Sequence, residues 1–200
     1  MTGESNSIVR LLFGLLLTFA IAAVVGLGTT WLTVTRGVAF GAVTLGAWTA
    51  YPKTGTAEID PYARATLAHT GLLPLGSGDG VAFIARTDQT RQPLDGRCEA
   101  TVAGATPSAR FWTLTLYDPD GRLVANGVGR YGFTSQEIVR KADGNFEVAI
   151  SPRARAGNWL PTGGVERYVL VLRLYDTPFG VATRAGRETS MPSITQRKCP

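Results

Sequence analysis

Phe111-Trp112-Thr113-Leu114-Thr115-Leu116-Tyr117 alternates with a period of two. In an extended chain that period puts Trp112, Leu114 and Leu116 on one face and Phe111, Thr113, Thr115 and Tyr117 on the other, the pattern of a half-buried strand. Residues 168–175 repeat it, with Leu170, Leu172 and Leu174 opposite Val169, Val171, Arg173 and Tyr175. Both stretches are predicted to lie centrally in a sheet. Residues 81–86, 98–102, 122–125 and 145–150 are short, β-branched or aromatic in character, and bounded by Gly, Pro and Asp clusters. Asp118-Pro119-Asp120-Gly121 carries turn chemistry, since Pro presets φ and Gly accepts a positive one, so 111–117 and 122–125 are predicted to form a hairpin. Thr134-Ser135-Gln136-Glu137 has capping-box spacing and predicts a short helix running to Lys141, before the turn at Asp143-Gly144. Asp60 as cap, Pro61 at the first helical position and Gly71 as a left-handed stop predict another over 61–70. Short strands at this spacing bury their apolar faces most simply in two sheets packed face to face. The expected fold is mainly β: an antiparallel β-sandwich (jelly-roll-like) with two short helices, preceded by one N-terminal transmembrane helix.

Residues 11–35 carry no ionisable side chain. As a helix they reach roughly 37 Å, against an apolar slab of about 30 Å, so they span a bilayer with some tilt. A cleavable secretory signal is the alternative; it wants a shorter apolar run ending at an Ala-x-Ala-like site, whereas here the run continues to Trp31-Leu32. We read an uncleaved signal-anchor with an interfacial aromatic at its end. Arg10, Glu4 and Arg36 leave the charge rule nearly silent, and orientation follows from the short segment before the helix and the whole domain after it. The expected organisation is a cytoplasmic N-terminus at 1–10, the anchor at 11–35, a connector with a short helix at 36–74, and a sandwich at 75–200 on the far side of the membrane.

About 165 residues follow the anchor in this 200-residue chain, enough for one domain with a real core. Net charge is +5, with Arg184, Arg187, Arg197 and Lys198 making the last stretch basic. The Arg residues are scattered and not interleaved with stacking aromatics, which reads as a solvated face and not as a nucleic-acid surface. The two cysteines are Cys98, in a predicted strand, and the penultimate Cys199. In an oxidising compartment a Cys98–Cys199 disulfide ties a terminus that would otherwise fray back to the sheet, with a chain-entropy ceiling of about 4.7 kcal/mol for a loop of about 100 residues. A metal-binding or reactive pair would want Cys-x-x-Cys spacing and a nearby His.

The run from Phe111 to Asp118 with Gly121, Leu123 and Val124, followed by Arg130-Tyr131, Asp143-Gly144, Asn158-Trp159-Leu160-Pro161 and Leu172-Arg173-Leu174-Tyr175, resembles the bacterial domain-of-unknown-function 1214 family over about residues 75–197. Asp60-Pro61-Tyr62-x-Arg64-Ala65 and Pro192-x-Ile194 look like its short, membrane-anchored alphaproteobacterial subgroup. Longer members carry a domain-of-unknown-function 1254 domain ahead of this one. The resemblance therefore implies a separately encoded companion protein that supplies that half and docks onto the sandwich.

No catalytic constellation is present in the sequence: the single His69 has no Gly-x-Ser-x-Gly partner, and there is no His-Glu-x-x-His and no phosphate loop with its Lys. No cofactor or metal is expected, and His69, without a second ligand at suitable spacing, is given no metal role. Gly76-x-Gly78-x-Gly80 opens a strand and reads as a turn. Asp118 and Asp120 read as turn residues and not as a glycosidase pair. Arg130-Tyr131 and Asn158-Trp159 combine a planar donor, an amide and aromatics, a set suited to a sugar or an anion. The competing reading has Trp159 plugging the sandwich end and Asn158 bonding a loop. Arg173 faces away from the leucine core, to pair with a carboxylate such as Glu147 or to line a docking face. The leading expectation is a cell-envelope interaction module; the second is a small-ligand or carbohydrate-binding domain using Arg130, Tyr131, Asn158, Trp159 and Arg173.

Overall fold

The computed structural model describes residues 2–36, 41–70, 74–76, 78–179, 190–197 and 199. Gly71, Arg184, Arg187 and Lys198, named above, lie outside them. In chain order the elements are α1 (Thr2–Arg36), β1 (Val43–Leu45), β2 (Trp48–Ala50), α2 (Pro61–Thr70), β3 (Gly80–Ala85), β4 (Ala100–Gly104), β5 (Phe111–Tyr117), β6 (Gly132–Thr134), β7 (Phe146–Ser151), β8 (Asn158–Pro161), β9 (Val169–Tyr175) and β10 (Ser193–Gln196). The two helices belong to one compact unit and the strands to another.

In the helical unit, α1 holds an apolar segment, Ser7–Thr35, long enough to cross a membrane. Thr18, Thr29, Thr33 and Thr35 do not offer bare hydroxyls to an apolar medium: each donates to the carbonyl four residues back at 2.8 Å. The start of α2 is as predicted, with Asp60 Oδ1 accepting from the amides of Tyr62 (3.0 Å) and Ala63 (2.9 Å) and Pro61 leading the helix.

The strand unit is mainly β, two sheets face to face. One has the order β1-β2-β3-β9-β5-β6, the other β10-β4-β7-β8. The period-two reading holds: β9 is central, with Leu174, Leu172 and Leu170 paired to Trp112, Leu114 and Leu116 of β5, and all six side chains are buried. Opposite them, Val102, Phe146, Val148, Ile150, Leu160 and Ile194 turn inward from the second sheet to complete one core. Trp112 meets Phe146 across the sandwich with ring centroids 5.1 Å apart.

Five details differ from expectation. The second sheet is mixed, because β7 and β8 run parallel, in register Val148↔Asn158 to Ser151↔Pro161. The turn at 118–121 forms, with Gly121 at φ +81°, yet the returning chain makes only a Tyr117↔Leu123 bridge. The true hairpin partner of β5 is β6. At 134–137 the Thr134 amide does donate to Glu137 Oε1 (2.8 Å), but the segment closes a single turn and no helix follows. Residues 43–50, left in the connector by the sequence reading, form β1 and β2 and extend the six-stranded sheet, while Cys98 lies just before β4 and not inside it.

Tyr168 is buried, and its hydroxyl has no hydrogen-bond partner among the described residues. Burial, with Asp95 and Asp88 nearby, pushes the phenol pKa up. Tyr168→Phe removes an unpaired buried polar group, so urea unfolding is expected to show unchanged stability or a gain of about 1 kcal/mol. A loss of that size instead would mean that the hydroxyl makes a bond worth keeping.

Candidate functional site

Arg130, just before β6, reaches across to the edge of the second sheet, where its Nη1 donates to the Trp159 carbonyl at 3.2 Å. Its guanidinium lies 5.4 Å from the centroid of Phe133, an inward-facing ring of β6. The loop before it is folded by Asn126, whose Nδ2 donates to Arg130 O and whose Oδ1 accepts from Arg130 N. Tyr131 follows, partly exposed, its carbonyl accepting from Leu116 N at 3.0 Å. Arg130 and Trp159 are therefore in contact, while Tyr131 is tied to them here only as the next residue along the chain.

Asn158 does not join them. It is buried, and its amide is spent on the fold: Oδ1 accepts from Val139 N (2.9 Å), and Nδ2 donates to Val139 O (2.8 Å) and Glu147 O (2.9 Å). The reading in which Asn158 bonds a loop is the one the geometry carries. Trp159 alternates outward on β8, half-buried, and its indole N–H donates to Ser151 O at 3.0 Å, so it lies along the sheet and does not plug the sandwich end.

Arg173 is on the outward face of β9, between Ala82 of β3 and Thr113 of β5. Its Nη1 donates to Tyr117 Oη at 3.1 Å, and its guanidinium sits 5.5 Å from that ring. Glu147 pairs with Lys141 (2.7 Å) and not with Arg173. Because Arg130 contacts the inward Phe133 and Arg173 lies on the outward face, the six-stranded sheet separates them. A cavity among the described residues, about 210 Å³ and lined by Leu45, Trp48, Gln89, Met191 and Pro192, includes none of the expected residues and is smaller than an ordinary ligand pocket.

Cys98 and Cys199 are joined as expected, with Cα atoms 4.6 Å apart. The Asp95 carboxylate lies within 4.8 Å of both sulfurs, but a disulfide offers no thiolate to a metal. Asp95 serves Arg97 instead: hydrogen bonds from that side chain outweigh burial and hold its carboxyl at about 2. Asp88 is buried and is pushed up by burial, yet hydrogen bonds from the Thr90 hydroxyl and from the Gln92 and Thr90 amides leave it below the ordinary carboxylate value. Both carboxylates fix the loop beneath β10. Asp118 and Asp120 are likewise turn groups, Asp118 capping Arg122 N (2.8 Å) and Asp120 pairing with the Arg122 side chain.

Fold and site together define a β-sandwich domain accompanied by one helix apolar enough to span a membrane, whose conspicuous loop residues are used mostly in holding the fold together. Residues 79–179 match the family described as "Protein of unknown function (DUF1214)", and the chain belongs to that family. The VPA0106 protein from Vibrio parahaemolyticus is structurally similar, with TM-score 0.56 and 24% identity over 70% of this chain and 36% of that one. An uncharacterized protein from Burkholderia cenocepacia gives TM-score 0.42 and 18% identity over 90% of this chain and 52% of that one. The present chain thus spans about a third of the length of the first and half of the second. No curated protein matches it.

Proposed function

We propose that this is a single-pass inner-membrane protein of the bacterial envelope, of the short membrane-anchored subgroup. In this reading residues 1–10 are cytoplasmic, 11–35 are an uncleaved signal-anchor, and the β-sandwich stands in the periplasm as an interaction module that docks a companion domain-of-unknown-function 1254 protein. The carrying observation is the pairing of a lipid-suited helix, Ser7–Thr35, with a filled sandwich. The similar Vibrio chain is nearly three times as long as the part this chain covers, which leaves room for a second half supplied separately. The small-ligand reading needs Arg130, Trp159 and Arg173 in one pocket, and the six-stranded sheet divides them. Affinity purification of the full-length protein from membranes in mild detergent tests the proposal. A companion of that domain type recovered in near-equal amount is the expected result; isolation of the protein alone under conditions that preserve known envelope complexes would overturn it.

A further inference from the structure

The element without a role so far is α2. Ten residues long, it carries no acidic side chain within the helix. Its inward stripe is Ala63, Thr66 and Leu67, at i, i+3 and i+4, while Tyr62, Arg64, Ala65, Ala68 and His69 are exposed. The Thr66 hydroxyl, which donates to Tyr62 O at 2.9 Å, also reaches the carbonyl of Val34 at 3.3 Å. Val34 is the last residue but one of the apolar segment Ser7–Thr35, so α2 is fastened to α1 where that segment stops. Within a turn of the same level, Trp31 is exposed on α1.

Two aromatic rings, a guanidinium and an imidazole at one end of an apolar helix are the side chains that the headgroup layer of a bilayer accommodates best. Tyr and Trp keep an apolar body with a polar tip there, and Arg finds phosphate oxygens. We propose that α2 is an interfacial helix lying in the phospholipid headgroup layer at the C-terminal end of the α1 span, with Arg64 on lipid phosphate and Tyr62 level with Trp31. The inference rests on α1 spanning the bilayer and adds a second lipid contact to it. An apolar helix alone is free to rotate and tilt; a short basic helix fixed to its end and lying along the surface restrains both.

The test uses the full-length chain in nanodiscs of phosphatidylcholine, with or without phosphatidylglycerol, labelled with an environment-sensitive dye through Ala65→Cys or Ala68→Cys. The native cysteines are bonded to each other and do not react. Leu16→Cys, on the exposed flank of α1, reports on the span itself. A nitroxide at the lipid headgroup is expected to quench the α2 labels more than one at mid-chain, with the reverse order at residue 16. One basic side chain near an anionic surface corresponds to about a fivefold change in occupancy, so Arg64→Gln should lower the docked-to-free ratio of α2 about fivefold in discs that contain phosphatidylglycerol. Quenching at residue 16 without quenching at residues 65 and 68 overturns the interfacial helix while leaving the span intact. No quenching at residue 16 overturns the span and, with it, this inference. Quenching of α2 that Arg64→Gln leaves unchanged in both lipids overturns the phosphate contact.

Discussion

Cys98→Ala combined with Cys199→Ser is expected to lower the unfolding free energy of the sandwich by about 2–5 kcal/mol, the range for removing a native disulfide that closes a long loop. Alanine is the choice at residue 98 because that side chain is fully buried and a serine there would bury a hydroxyl. The cross-link joins residues 101 apart, so most of its effect is on the unfolded chain, which regains the freedom of a very long loop. A native-state component adds to it. β10 is the outer strand of its sheet and ends three residues before Cys199, held by four pairings to β4 from Ser193↔Ala103 to Gln196↔Ala100. Ile194 is fully buried between the sheets, and the Gln196 side chain accepts from Asp95 N (2.9 Å) and donates to Pro93 O (3.2 Å). These contacts are expected to keep β10 in place without the clasp, but with faster exchange of its amides than of those in β9. Urea unfolding of the full-length protein in detergent measures the first effect and amide hydrogen exchange the second. An unchanged unfolding midpoint would mean that the unfolded state is already compact around this pair, and the entropic argument would fail.

The parts of the fold that the sequence announced are those whose physics is local. β5 and β9 are seven residues long, enough for a period of two to stand out, and Asp60-Pro61 carries its own capping geometry. β1, β2 and β6 have three residues each and β8 and β10 four, too few for alternation to be distinguished from chance. β8, Asn-Trp-Leu-Pro, even has the composition of a loop; it becomes a strand because Asn158 is bound on three sides and Leu160 is fully buried. Its parallel pairing with β7 went unread because parallel strands ordinarily need a crossover of a dozen or more residues, whereas the six residues 152–157 suffice here, with Gly157 at φ +78°. The capping box at 134–137 made its bond but not its helix. Phe133 is held inward against Leu114, Ile138 is buried five residues on, and Arg140 bridges back to Phe146, so tertiary pairing draws the chain straight after one turn. For the site, the sequence picked out residues of the right types, but only their tertiary partners show that Asn158 and Arg173 are occupied elsewhere. The anchoring role of Asp88, a buried carboxylate beneath β10, had no signal beyond a common turn composition.

Trp48→Ala is expected to cost about 3–5 kcal/mol, as large as any core truncation in this molecule. The prediction is pointed because Trp48 lies outside the 79–179 stretch that matches the family, in what sequence texture alone marks as connector. Its ring is 1% exposed, and its indole N–H donates to Pro192 O at 2.7 Å, across 144 residues of chain. The strand that carries it pairs with β3 through Thr49↔Ile84 and Ala50↔Phe83, beside the T-shaped contact between Phe83 and Phe179. Truncation therefore opens a cavity at the edge of the common core and leaves a buried carbonyl unpaired, on the segment that leads into β10. Trp48→Phe separates the two terms: most of the packing stays, the hydrogen bond goes, and a loss of about 1–2 kcal/mol is expected. If Trp48→Ala costs less than about 1 kcal/mol in urea, β1 and β2 are an appendage and the sandwich is complete from about residue 75. If the full loss is found, the hairpin at 43–50 is as much a part of the domain as its central strands, and a fragment cut at the start of the matched stretch will not fold stably.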